Sequence, residues 1–327
     1  MKEVLQLVLI ILGPIIIVCA IIAWALGRNS FKLNPEKGLL KQGLLWVSLL
    51  LPVSYCLVFG SIAWAGYEID ISSAGLSTFF RISTIPLTVL SLALPLTVLV
   101  SRFYSTEQTA RQIAITLHKN NLDSFYSHRS ELFSYFDRLQ EADYFGALKG
   151  RFNVHPRVHK NFFKGRPDLG VPEINLEMFN QVERALQSTR FQIDYVLKNK
   201  KPENVFSMYM LNACVTIHWL SRALGLPEIY KDIAEKSILI EVNVKGNGKE
   251  EYLSVGKTTD DLVAAYRYAN DYFRNLCDFS GHSIEDVEEE FKYIETGGKF
   301  RTINVPGVVE ELHRNEISKF IKKNEND

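Results

Sequence analysis

The chain has 327 residues, 37 Lys/Arg and 37 Asp/Glu, so its formal net charge is zero. Zero overall hides a division: residues 1–103 hold seven Lys/Arg and four Asp/Glu, which leaves 30 and 33 for the remainder. The mildly acidic remainder excludes a generally basic nucleic-acid binder, so affinity for nucleic acid or lipid requires a local patch. Four cysteines without a CxxC or Cys/His spacing indicate neither a disulfide framework nor a zinc site, and no cofactor motif is present.

From Val4 to Leu26 the sequence is apolar apart from Gln6, Gly13 and Pro14, long enough to cross a bilayer core. It is too long for a signal-peptide core, no A-x-A site follows, and Val18 before Cys19 argues against a lipoprotein signal. A basic loop (Arg28, Lys32, Lys37, Lys41 against Glu36) precedes a second span from Gly43 to Gly66. The loop from Tyr67 to Ile82 carries Glu68 and Asp70 against Arg81, and a third span runs from Ser83 to Ser101. The positive-inside rule then puts the N-terminus outside, the 27–42 loop inside, the 67–82 loop outside and the large C-terminal domain inside, in the cytoplasm, of a multi-pass membrane protein. Trp24 and Trp46 fall at the inner interface, and Trp64 with Tyr67 at the outer one. The spans hold no Asp, Glu, Lys, Arg or His, unlike those of most transporters. Their Ser and Thr hydroxyls either bond their own or a neighbouring helix, with Pro14, Pro52, Pro86 and Pro95 as kinks, or line a pore once several copies associate.

No Gly or Pro occurs between Pro95 and Gly146, so a helix can run from the third span as far as Tyr144. Ser105 with Gln108 is either a capping box or the exposed face of that unbroken helix. Leu122, Phe125, Tyr126, Leu132, Phe133, Phe136 and Leu139 fall near helical spacing among charged residues. The expected organisation is a three-span region at 1–103, a connecting helix at 104–145, and a helical sensor domain at 146–327.

Two stretches of that connector, STEQTARQI (Ser105 to Ile113) and NNLDSFYSHRSELF (Asn120 to Phe133), resemble a membrane-proximal signature of bacterial phage-defence membrane proteins. With three spans and a helical domain, the chain most resembles the membrane effector of a retron anti-phage system. The resemblance covers about 30 residues, and the signature is shared beyond retrons. It implies a toxic effector in a bacterial inner membrane, with its N-terminus periplasmic, restrained by a reverse transcriptase with its multicopy single-stranded DNA. On release it would permeabilise or depolarise the membrane and abort infection.

Residues 147–167 contain Lys149, Arg151, Arg157, Lys160, Lys164 and Arg166 without an acid, interleaved with Phe152, Phe162 and Phe163. Basic groups neutralise phosphates and aromatic faces stack on unpaired bases, so these nine residues are the candidate site for nucleic acid or a ribonucleoprotein partner. The same pattern fits a solvated loop whose aromatics pack inward, or a surface for anionic lipid headgroups. His155 and His159 have metal-ligand spacing, but Pro156 puts His155 at a helix cap and no third ligand is near.

Helices are expected at 176–198 and 205–224, the latter with Met208, Leu211, Val215 and Trp219 as its core stripe, Met210 and Ile217 widening the apolar surface, and His218 beside the stripe. Residues 237–244 and 251–255 flank an Asn-Gly turn and read as a β-hairpin. GlyLysThrThr at 256–259 lacks the first Gly of a P-loop, so Thr258 and Thr259 with Asp260 and Asp261 read as a helix start. That helix carries Leu262, Ala265, Tyr266, Tyr268, Ala269, Tyr272, Phe273 and Leu276 to about Phe279. Ser283 with Asp286 suggests another, in which Glu285–Glu290 is a solvated face, and 308–322 the last. The fold class expected is a mainly α membrane protein: three N-terminal transmembrane helices, then a mostly helical cytoplasmic domain with a small β-hairpin. No catalytic motif appears. A non-enzymatic effector that associates with itself in the bilayer is the first reading, a membrane-anchored hydrolase or nuclease the second, and a passive scaffold the third.

Overall fold

The computed structural model describes residues 2–32, 34, 36–198, 203–244, 248–303 and 307–312; for 203–208, 241–244, 248–250 and 312 the backbone alone is described. The chain is mainly helical and divides into two compact units, residues 1–119 and 120–327.

In the first unit α1 (Lys2–Leu26) and α3 (Ser73–Ser91) both pack on α2 (Gly43–Ala63). Three helices are long and apolar enough to cross a membrane: Lys2–Leu26, Gly43–Ala63 and the nearly continuous Ser73–Asp137. Pro14, Pro52 and Pro86 all lie buried between helices, where neighbours offset the missing backbone donors. Tyr55 Oη donates to the Ile11 carbonyl (2.5 Å), beside the carbonyl that Pro14 cannot serve. The hydroxyls of Ser48, Ser54, Ser61, Thr88 and Ser91 donate to carbonyls of their own helices. Ser48 also reaches Thr97 (3.3 Å), and the Trp64 indole N–H donates to Ser83 (2.8 Å).

Two boundaries differ from the sequence reading. The third apolar helix starts at Ser73, because Ser72 accepts the Gly75 N–H (3.1 Å) and is itself held by Asp70 (2.8 Å). Most of the expected 67–82 loop is therefore helix. The second is at Leu92, which separates α3 from α4 (Ala93–Asp137): Pro95 has no N–H for the Ser91 carbonyl, so the helix loosens there for one residue. Ser105 and Gln108 are interior to α4, not a cap.

The connecting helix ends at Asp137, not Tyr144. Phe145 (φ 62°) and Gly146 (φ 69°) form a left-handed turn that folds β1 (Ala142–Tyr144) back on β2 (Leu148–Gly150), with Tyr144 opposite Leu148. After α5 (Pro156–Phe162), β3 (Phe163–Lys164) pairs with β4 (Glu173–Ile174). The core lies between α6 (Leu176–Leu197), α7 (Glu203–Leu224) and α8 (Thr259–Ser280).

All eight apolar residues expected in α8 are buried. Thr258 and Asp261 form a reciprocal capping box, and the Asp261 carboxylate accepts the Lys257 and Thr258 N–H groups at 3.0 and 3.1 Å. The N–H groups of this P-loop-like stretch are thus bound internally. In α7 Met210 and Ile217, expected on the apolar surface, are buried, but Val215 and Trp219 of the expected stripe are exposed; Cys214 and Leu220 are buried in their place, because α7 packs against both α6 and α8. Met208's side chain lies outside the described residues. His218 is half-buried, its Nε2 3.2 Å from the Ser254 carbonyl.

β5 (Leu239–Val244) pairs with β6 (Gly248–Leu253) as the expected hairpin; its turn, 245–247, is outside the described residues. Ser283 starts no helix. Residues 282–288 form no regular element, and only a short turn at Glu289–Phe291 and α9 (Lys292–Glu295) follow, since Val287 alone of 285–290 is buried and no apolar stripe supports helix. The last helix, α10, is described over Val308–Leu312; the remainder of the expected 308–322 helix lies outside the described residues.

Candidate functional site

The basic segment threads β2, α5 and β3 over the core of the second unit. Its aromatics are interior. Phe162 is fully buried and meets Phe179 edge-on at 5.1 Å; Phe163 is 4% exposed and touches Phe279 at 6.0 Å; Phe152 sits 5.8 Å from Tyr268. The cause is α5's register. His155 caps the helix by accepting the Arg157 N–H (3.2 Å), Pro156 occupies the first turn, and Val158, His159 and Phe162 then face inward. These rings hold the segment down and present no face to a base.

The six cations are all exposed. Arg166 grips Asp168 through two bonds (3.0 and 2.9 Å), Lys164 lies 3.7 Å from Glu177, and Arg151 lies 4.0 Å from Glu141. Among the described residues no carboxylate lies within 4.0 Å of Lys149, Arg157 or Lys160. Exposed pairs of this kind are worth little and are readily exchanged for a phosphate.

The segment is tied to the end of α4 by signature residues. Asn121 Nδ2 donates to the Asp168 carbonyl (2.8 Å), and Phe125 meets the His159 ring edge-on at 5.5 Å. His128 Nδ1 and His159 Nε2 are 3.2 Å apart, within a box that includes Phe163 and Phe279. Burial lowers both imidazoles' affinity for protons, His159 to about 4, with the His128 and Arg129 charges adding to the effect. One N–H therefore bridges two neutral rings. Sequence spacing paired His159 with His155; the fold pairs it with His128, and His155 is left at the cap.

Beside Lys149 and Arg151 lies a polar cleft of about 520 Å³, closed on its other side by Pro227, Glu228 and Asp232. The turn Glu228–Ile233, wound more loosely than an α-helix, buries the Glu228 side chain. Tyr268 Oη is 2.5 Å from the Arg151 carbonyl and 3.1 Å from the Glu228 carboxylate. One hydroxyl proton serves one of these, and burial, which pushes the Glu228 carboxyl up, favours a protonated Glu228 that supplies the second. No motif flagged Glu228 or Asp232; an acid directly after a Gly-Leu-Pro turn is an ordinary surface pattern. Among the described residues no cluster of three or more His, Cys, Asp or Glu could hold a metal ion.

Comparison with known protein families, curated proteins and solved structures finds no match for this chain.

Proposed function

We propose that the chain is a toxic inner-membrane effector of an anti-phage defence system, held inactive by a reverse transcriptase with its multicopy single-stranded DNA. The observation that carries the reading is the position of the signature. Its first part lies on α4 just beyond the apolar stretch, and its second part, through Asn121, Phe125 and His128, clasps the basic segment. A nucleic-acid-containing inhibitor that neutralises Lys149, Arg157 and Lys160 would thus bind residues packed on the same helix that continues into the span. Because the aromatics are buried, recognition runs through phosphates rather than base stacking. Release would act on the spans without chemistry, so the effector is non-enzymatic.

The test changes Lys149, Arg151, Arg157, Lys160, Lys164 and Arg166 together to Gln. Removing six phosphate-neutralising charges eliminates the counterion-release part of affinity. The expected outcome is membrane depolarisation and arrested growth in uninfected cells, with the variant still in the membrane fraction. Weakened toxicity on release would instead assign the segment to lipid headgroups. Nucleic-acid cleavage by the purified chain, lost on Glu228→Gln, would favour the hydrolase reading and place its site in the polar cleft.

A further inference from the structure

The stretch of α4 from Arg111 to Lys119 is exposed on every side, yet it carries Ile113, Ile115 and Leu117 at about 60% exposure each. A solitary helix in water is marginal, and three large exposed apolar residues make it worse. Their spacing is informative. Leu99, Phe103, Thr106, Ala110, Ile113 and Leu117 step alternately by three and four, the a and d positions of a heptad repeat, and all six are exposed. Leu96 extends the series back into the apolar part of the helix. The rest of the first unit uses a different face of α4, where Ala93, Thr97 and Tyr104 meet it: Thr97 reaches Ser48, Tyr104 Oη donates to the Lys37 carbonyl (2.5 Å), and Arg111 pairs with Glu36. Ile115 belongs to that second face by its spacing from Tyr104 and Arg111. The heptad stripe is left without a partner among the described residues of its own unit.

We propose that this stripe is the interface between copies of the chain, which associate through α4 as a parallel, in-register coiled coil. Three observations select a second copy over another protein. Copies inserted in one membrane share an orientation, so their α4 helices run parallel by necessity. The repeat is sustained over 22 residues, from Leu96 to Leu117, and matches itself. In the water-exposed part, Arg102 takes a g position and Glu107 the following e position, the pairing that joins neighbouring helices in a parallel register. Both are exposed and without an ion-pair partner among the described residues. The other flanking positions, Thr109, Ala114 and Thr116, introduce no like-charge clash. Ile113 at d with Leu117 at a is the order associated with more than two strands, which would gather several sets of spans around one axis. The inference rests on α4 leaving the membrane near Arg102, and not on the toxin reading.

Single cysteines placed in the full-length chain test it in native membranes, with the chain's own cysteines setting the baseline. Oxidation should give a disulfide-linked dimer several-fold stronger for Ala110→Cys and Ile113→Cys than for Ser105→Cys and Gln112→Cys, which lie on the opposite side of the helix. Arg102→Glu should weaken the Ile113→Cys product several-fold, and Arg102→Glu with Glu107→Arg should restore it. Equal cross-linking at all four positions, no cross-linking, or no rescue by the double charge reversal would overturn the interface. Recovery of the chain in the soluble fraction would also overturn it. Cross-linking is read whatever the effect on growth, so its failure is distinct from failure of the toxin reading.

Discussion

At the residue scale, two buried groups have effects out of proportion to their size. His159 is 4% exposed and stays neutral, its affinity for protons lowered to about 4. An unfolded histidine takes a proton near pH 6.5, so between pH 6.5 and about 4 the unfolded chain binds more protons and stability falls as pH falls. Above pH 6.5 the contribution is nil; at its full extent the loss is roughly 3 kcal/mol. Denaturation of the detergent-solubilised chain across this window should show that loss, and His159→Phe should remove most of it relative to wild type. Arg267 is the second case. It is 6% exposed, donates to the carbonyls of Ile294 (2.5 Å), Gly297 (2.8 Å) and Tyr293 (3.3 Å), and stacks on Phe145 and Phe300. It therefore closes the end of α9 and covers Phe145, whose φ of 62° is unusual for a residue with a side chain. Arg267→Met keeps the stem but leaves these carbonyls unpaired, and a cost of about 3 kcal/mol or more is expected by denaturant titration.

At the scale of elements, the proposed coupling depends on α4. It contributes Ala93 and Tyr104 to the first unit and Leu132 and Phe136 to the core of the second, without interruption. A Gly-Pro insertion after Ala110 breaks backbone bonds at a cost of about 3 kcal/mol or more and shifts the helical phase. Membrane insertion and the second unit's fold should survive, because Leu132, Phe136 and the signature contacts all lie beyond it. Control of toxicity by the partner should be lost, read as growth with and without the partner. Unchanged toxicity together with unchanged restraint would make the helix a simple tether.

At the scale of the whole molecule, the charge asymmetry between the two short loops sets the orientation expected. Arg28, Lys32, Lys37 and Lys41 flank one side of the spans, and Glu68 with Asp70 the other. A reporter fused after Asp327 should read cytoplasmic, and one inserted between Tyr67 and Ser72, the part of that loop that is not helix, should read periplasmic. The reverse pattern would sink both the orientation and the proposed encounter with a cytoplasmic inhibitor.

Periodicity and composition were enough for the three apolar helices, for α8 with its capping residues, and for the β5–β6 pairing, because each depends on neighbours in sequence: bilayer length, local side-chain caps, alternation about a turn. His155 as a cap was legible for the same reason. What sequence left open was decided by contacts between distant residues. The basic segment allowed its aromatics to face either water or the core, and only the packing of Phe152, Phe162 and Phe163 against Tyr268, Phe179 and Phe279 turned them inward. On α7, Met210 and Ile217 are buried as their spacing implies, whereas Val215 and Trp219 are exposed because two partner helices, rather than one, choose the buried face. The His128–His159 bridge and the cleft at Glu228 join residues 31 and about 80 positions apart, and no local spacing encodes them. Local chemistry determines which elements form; which face each element buries, and which distant side chains meet there, is a property of the tertiary packing alone.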